Sequence, residues 1–187
     1  MIQAPSKTLT LAEFLQLPET KPASEYIDGQ IIQKPMPQGK HSVIQGELVP
    51  AINGVVKRRH IARAFPELRC TFGGRSTVPD VAVFRWERIP RDGNGEVANT
   101  FSAPPDWTIE ILSPDQNQTR VTKNILHCLQ HGTEVGWLID PSEQTVFIYR
   151  SKQEPEALDE PEQVIPVPSF ASDLKLTIQE LFTWLLE

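Results

Sequence analysis

Two carboxylates set in apolar surroundings are the residues here whose types and spacing could do chemistry. Asp80 follows Pro79 and opens Val81-Ala82-Val83-Phe84, and Glu110 lies inside Trp107-Thr108-Ile109-Glu110-Ile111-Leu112. Side chains alternate along a strand, so Trp107, Ile109 and Ile111 share one face while Thr108, Glu110 and Leu112 share the other. By the same rule Asp80 faces the way of Ala82 and Phe84. A carboxylate in such a place is costly to bury unless it is paired or ligates a metal. If the two strands are neighbours, both acids converge at one sheet end. Two like charges about 4 Å apart repel there by about 4 kcal/mol at an effective dielectric of about 20. A divalent cation removes that cost, and hard oxygen donors suit Mg²⁺ or Mn²⁺. Two plainer readings stand beside this one: Asp80 caps the turn after Pro79, and Glu110 pairs with an arginine from elsewhere. A glycosidase using the two acids as acid and base without metal is a further alternative. Four Trp and two Tyr, with only Trp107 near either acid, offer little to a sugar ring.

The elements that must position these residues are short and numerous. Thr8 to Leu17 reads as a helix, with Thr10 as N-cap and Glu13 completing a capping box. Glu25 to Ile32 (EYIDGQII) reads as a hairpin around Asp28-Gly29, a pair that favours the positive φ angles of a tight turn. Ile44, Leu48, Ala51, Ile52 and Val55 recur at helical spacing between Ser42 and Arg59. Pro50 inside that stretch costs about 3 kcal/mol in a helix interior and predicts a kink. Residues 61–72 and 78–86 read as strands, 88–105 as a loop, and 107–112 as a strand. Thr119 to His131 reads as a helix capped by Thr119 and stopped at Gly132. Strands at 135–140 and 145–150, an acidic, Pro-rich connection at 152–168 and a closing helix at 176–186 complete the chain. That order predicts an α/β fold with a mixed sheet.

Composition bounds the function. The chain has 187 residues, 39% hydrophobic and 22% charged, which predicts one globular domain spanning 1–187. The 17 prolines fit short elements and sharp turns rather than a helical bundle. No run reaches the roughly 18 apolar residues of a membrane span, and the first residues lack the pattern of a secretory signal, so a cytoplasmic protein without a membrane partner is expected. Two cysteines, Cys70 and Cys128, make no disulfide framework, and no CxxC or HExxH motif offers zinc. Lys and Arg number 18 against 24 Asp and Glu, a net charge of -6, which argues against coating nucleic acid through bulk positive charge.

The order of the motifs is similar to a known family. Pro79-Asp80 followed 30 positions later by Glu110 in an apolar strand resembles the PD-(D/E)xK nuclease superfamily. TLAEFLQLPE, EYIDGQII, His41 before a helix, PDVAVF, PPDWTIEILSP, Lys123, HGTEVGWLIDP and VPSFASDLKLTIQELF run in the order of the Uma-two family of restriction-endonuclease-like proteins, over roughly residues 8–186. The resemblance implies a restriction-endonuclease-like core, a mixed central β-sheet flanked by helices. It implies a metal-dependent endonuclease acting on DNA, with Mg²⁺ (or Mn²⁺) held by Asp80, Glu110 and the backbone carbonyl of Ile111. Glu25 and His41 match further site positions of the family. At position 112 the superfamily's regular form has a lysine on the strand face of the glutamate, and this chain has Leu112. The resemblance implies that Lys123, on the following helix, replaces it. A nuclease-like domain without turnover, binding nucleic acid or protein, is the alternative that Leu112 keeps open.

Contacts with DNA need local positive charge. Lys57, Arg58 and Arg59 form the densest basic cluster, and Arg69 and Arg75 flank the strand leading to Asp80. These are candidate phosphate contacts, although cations at a helix C-terminus also complement its dipole. A homodimer is expected by analogy with nucleases that cut both strands.

Overall fold

The computed structural model describes residues 9–114 and 116–186. Among the described residues ten strands form two sheets. β1 (Ser24–Ile27), β2 (Gln30–Gln33), β4 (Cys70–Phe72) and β5 (Arg75–Thr77) make a small sheet in the order β2-β1-β5-β4. β3 (Ala62–Pro66), β6 (Val81–Arg85), β7 (Trp107–Ile111), β8 (Val135–Asp140), β9 (Thr145–Arg150) and β10 (Glu156–Leu158) make the large one, in the order β10-β9-β8-β7-β6-β3. Only β7 and β8 run parallel, joined by helix α3 (Gln118–Gln130), so the large sheet is mixed as expected. The other helices are α1 (Leu11–Phe14), α2 (Gly39–Val56) and α4 (Ile178–Thr183).

The alternation along β6 and β7 sorts their residues between two cores. Val81, Val83, Trp107, Ile109 and Ile111 pack with Ile44, Leu48, Ile52 and Val56 of α2. Those four α2 residues follow one another every fourth position, which places them in one buried row. Ala82 and Phe84 face the other way and pack with Cys70, Phe72 and Cys128. Trp107 and Trp137 are buried with their rings edge to face, confirming them as core.

Local signals mostly did what their chemistry dictates. Thr10 and Glu13 exchange both capping-box bonds, although the Thr8 end of the expected helix lies outside the described residues. Asp28 and Gly29 take φ of 50° and 83°, closing the β1–β2 hairpin. Helix α2 runs from Gly39 to Val56 through Pro50, which lies on its exposed side. The cap of α3 is Asn117, whose side chain accepts from the Arg120 N–H, rather than Thr119. The expected strand 61–72 is broken. Glu67 adopts φ 45°, β3 joins the large sheet, and β4 turns through Gly73-Gly74 into β5 in the small one. No helix among the described residues is long and apolar enough to cross a membrane.

Candidate active site

The register of β6 and β7 brings the two acids together. Val81 pairs with Ile109 and Ala82 with Thr108, so one step back Asp80 stands opposite Glu110. Both are almost completely buried, at 1% and 2% exposure. The Oδ2 of Asp80 accepts from the Ile111 N–H at 2.7 Å, and the Nε2 of His41 lies 3.1 Å from the same oxygen. His41 reaches it from the first turn of α2, while Gln45, one turn further, donates to the Asp80 carbonyl at 2.7 Å. Ile111 thus enters the site through its amide.

The cation between the acids is Lys34. Its Nζ donates to Asp80 Oδ1 at 2.6 Å and to the Val78 carbonyl at 2.7 Å, and lies 3.6 Å from Glu110 Oε2. Lys34 follows β2 directly, and its amide is held by the Ala23 carbonyl. Glu25, on the paired strand β1, adds a third buried carboxylate. It accepts from the Val78 N–H at 2.8 Å and from Asn124 Nδ2 at 3.2 Å.

The charges shift one another. Burial alone would raise the Asp80 carboxyl, but Lys34 and His41 outweigh it and hold Asp80 well below the usual carboxylate range. Burial pushes Glu110 well above that range; Lys34 opposes the rise, and Asp80 and Glu25 add to it. Glu25 is raised for the same first reason, against Lys34, the Val78 N–H and Asn124. Burial would lower the Lys34 ammonium, yet Asp80, Glu110 and Glu25 together raise it above an ordinary lysine. Lys34 is therefore a fixed cation rather than a base.

The structure also separates residues that the sequence had grouped. Lys123 is exposed on the outer side of α3, and it is the adjacent Asn124 that turns inward. The reason is helical phase. Val121, Asn124, Ile125 and Cys128 form the buried stripe of α3, and position 123 lies off it. Lys123, expected to supply the ammonium, is thus not brought to the acids in this structure, where Lys34 stands instead. The signal for Lys34 was present in the hairpin: Glu25 pairs with Ile32, so Lys34 lies on the same face as Glu25, two residues along. Arg69 is occupied by Glu19 and the Ser24 carbonyl, and Arg75 by Asp28. Lys57, Arg58 and Arg59 stand past the C-terminal end of α2, roughly 25 Å along the axis from His41 at 1.5 Å per residue, and Arg59 pairs with Asp173 at 2.9 Å. None of the five is brought to the acids.

Oxygen donors dominate the cluster, and they suit a hard divalent cation better than zinc. No group of three or more His, Cys, Asp or Glu side chains among the described residues forms a closed metal cage. In this arrangement the Lys34 ammonium occupies the space that the carboxylates share.

A mixed α/β core with buried acids at the end of an antiparallel strand pair is the arrangement expected of a nuclease-like protein. The comparison with solved structures agrees: the chain superimposes with a TM-score of 0.94 on a crystal structure described as "a putative nuclease belonging to DUF820" from Anabaena variabilis ATCC 29413, at 71% identity over 95% of this chain and 99% of that one. The Uma2 (Uma-two) family, described as "Putative restriction endonuclease", matches residues 11–179, and the chain belongs to it. No curated protein matches.

Proposed function

We propose that this chain is a divalent-metal-dependent endonuclease that hydrolyses phosphodiester bonds of DNA at the Asp80–Glu110 end of β6 and β7. The observation that carries the reading is three buried acids around a single buried ammonium, more acidic groups than a structural ion pair requires. Asp80 and Glu110 would hold the cation, with Glu25 behind them. Mg²⁺ or Mn²⁺ bound there supplies a Lewis acid that lowers the pKa of water and offsets charge on the scissile phosphate.

The remaining roles belong to the chain's own groups. His41 and the Ile111 N–H fix the rotation of the Asp80 carboxylate. Val78 and Asn124 do the same for Glu25. Lys34, held protonated, places a positive charge next to the acids where the phosphorane oxygens develop theirs, the preorganised electrostatic help that lowers such barriers most. This role answers the leucine at position 112: the ammonium comes from the hairpin instead of from β7. A glycosidase reading fits less well, because Trp107, the aromatic residue nearest either acid in sequence, is fully buried in the core and offers no face to a sugar ring. Plasmid nicking with Mg²⁺ or Mn²⁺ tests the proposal. Cleavage by the wild type and none by Asp80→Ala supports it, and metal-dependent cleavage that Asp80→Ala leaves unchanged refutes it.

A further inference from the structure

Beside the acid cluster lies a second feature, which the reaction above does not use. A cavity of about 520 Å³ opens between the N-terminus of α2, the loop after β7 and the turn after β8. It therefore sits outside the carboxyl ends of the two parallel strands, where open α/β sheets bind their ligands. Its size falls in the range of roughly 300–1,000 Å³ typical of small-molecule sites. His41 lines both this cavity and the smaller one that holds Lys34 and Asp80, so the two share a wall.

The walls differ in character. At one end the amides of Gly39, Lys40 and His41 have no acceptor among the described residues, because the cap residue Gln38 makes no side-chain bond. The exposed ammonium of Lys40 stands beside them, and α2 is 18 residues long, so its dipole adds positive potential. The His41 ring, 5% exposed, also lines this wall, and its buried Nδ1 has no partner among the described residues. At the other end Leu112, Pro114 and Pro141 offer flat apolar surface. The Asp140 carboxylate on that wall is turned to Ser142 and Glu143, whose amides it accepts at 2.9 and 3.2 Å.

We infer that this cavity is a subsite for one unpaired nucleotide next to the bond to be cut, its phosphate at the α2 N-terminus and its ring against Leu112, Pro114 and Pro141. The choice of ligand rests on the nuclease reading above and extends it to the class of substrate. A base in a continuous duplex has its faces stacked and its edge paired, so only a single-stranded, flapped or frayed nucleotide can enter a concave site of this kind. Leu112 then has a use of its own: the position that lacks the superfamily's lysine supplies part of the wall.

Calorimetry on the full chain in EDTA provides the test, with deoxythymidine monophosphate and, separately, inorganic phosphate as probes. The mononucleotide should bind saturably and at least tenfold tighter than phosphate. Lys40→Glu should weaken it at least tenfold, and Leu112→Trp, which fills the ring end, should abolish it while sparing phosphate. Lys40 is exposed, so that variant carries the test if Leu112→Trp melts early. A wild type that does not bind the mononucleotide, or binding that Lys40→Glu leaves unchanged, overturns the subsite. The second arm compares Mn²⁺-dependent cutting of a flapped strand with that of closed duplex. At least tenfold preference for the flap, reduced in Lys40→Glu, supports the assignment, and equal rates on both overturn it while leaving the nuclease reading intact. Absence of cutting on every DNA, with the mononucleotide still bound, refutes the nuclease reading and with it the cleavage role of the subsite, while supporting the cavity as a nucleotide-binding site.

Discussion

The strand pair β6–β7 carries a charged cluster at each end, and the two are built differently. At one end Asp106, just before β7, accepts from the Arg88 guanidinium at 2.6 Å and from the Arg85 N–H at 2.8 Å, while Arg85 also pairs with Glu134 at 2.8 Å. Two arginines meet two acids there, and both arginines reach solvent. At the other end three acids, Glu25, Asp80 and Glu110, share Lys34 and the His41 ring, all nearly enclosed. A balanced network ties the loops to the sheet. An unbalanced one leaves acidic groups in excess of cations, which is what a bound divalent cation would use.

That contrast can be broken in order of expected effect. Asp80→Asn should reduce nicking by at least about 100-fold, since one carboxylate of the proposed cation site is lost, with circular dichroism checking that the fold survives. Lys34→Met should destabilise the metal-free protein by about 3–5 kcal/mol, because three buried acids lose their shared cation. Millimolar Mg²⁺ should restore most of that in thermal melts, and Mg²⁺ should bind tighter than to the wild type by calorimetry. If Mg²⁺ leaves the melting temperature of Lys34→Met where it was in EDTA, the acids are not a cation site. Asp106→Asn should cost about 1–3 kcal/mol in urea melts, yet folded protein should nick at the wild-type rate. Lys123→Ala should change nicking less than twofold, whereas Lys34→Ala should remove most of it.

The smallest effect concerns pH. Burial holds the His127 ring below the ordinary imidazole value, with the Phe72 carbonyl opposing. The folded state then binds fewer protons than the unfolded one, so stability is complete above about 6.5 and falls as pH drops below it. His127→Gln should flatten that decline in melts run between about pH 7 and pH 5. A slope identical to that of the wild type would show that another group carries it.

What the sequence determined by itself was local or periodic. The Thr10–Glu13 box, the Asp28-Gly29 turn, the α2 row from Ile44 to Val56 and the alternation through Val81–Phe84 and Trp107–Ile111 are set by neighbouring residues, so they were legible before any fold was known. The pairing of Asp80 with Glu110 could be read as far as those alternations allowed, and the strand register completed it. The same alternation put Lys34 on the face of Glu25, and the stripe of α3 put Asn124 inward and Lys123 outward, so these signals were present but mute about their partners. Only the tertiary structure decided that β2 lies against the end of β6. Which ammonium meets which carboxylate depends on residues 46 positions apart, and no local preference encodes a contact at that range. The splitting of the 61–72 segment between two sheets has the same cause: both halves are good strands, and their partners, β6 and β5, choose the sheet.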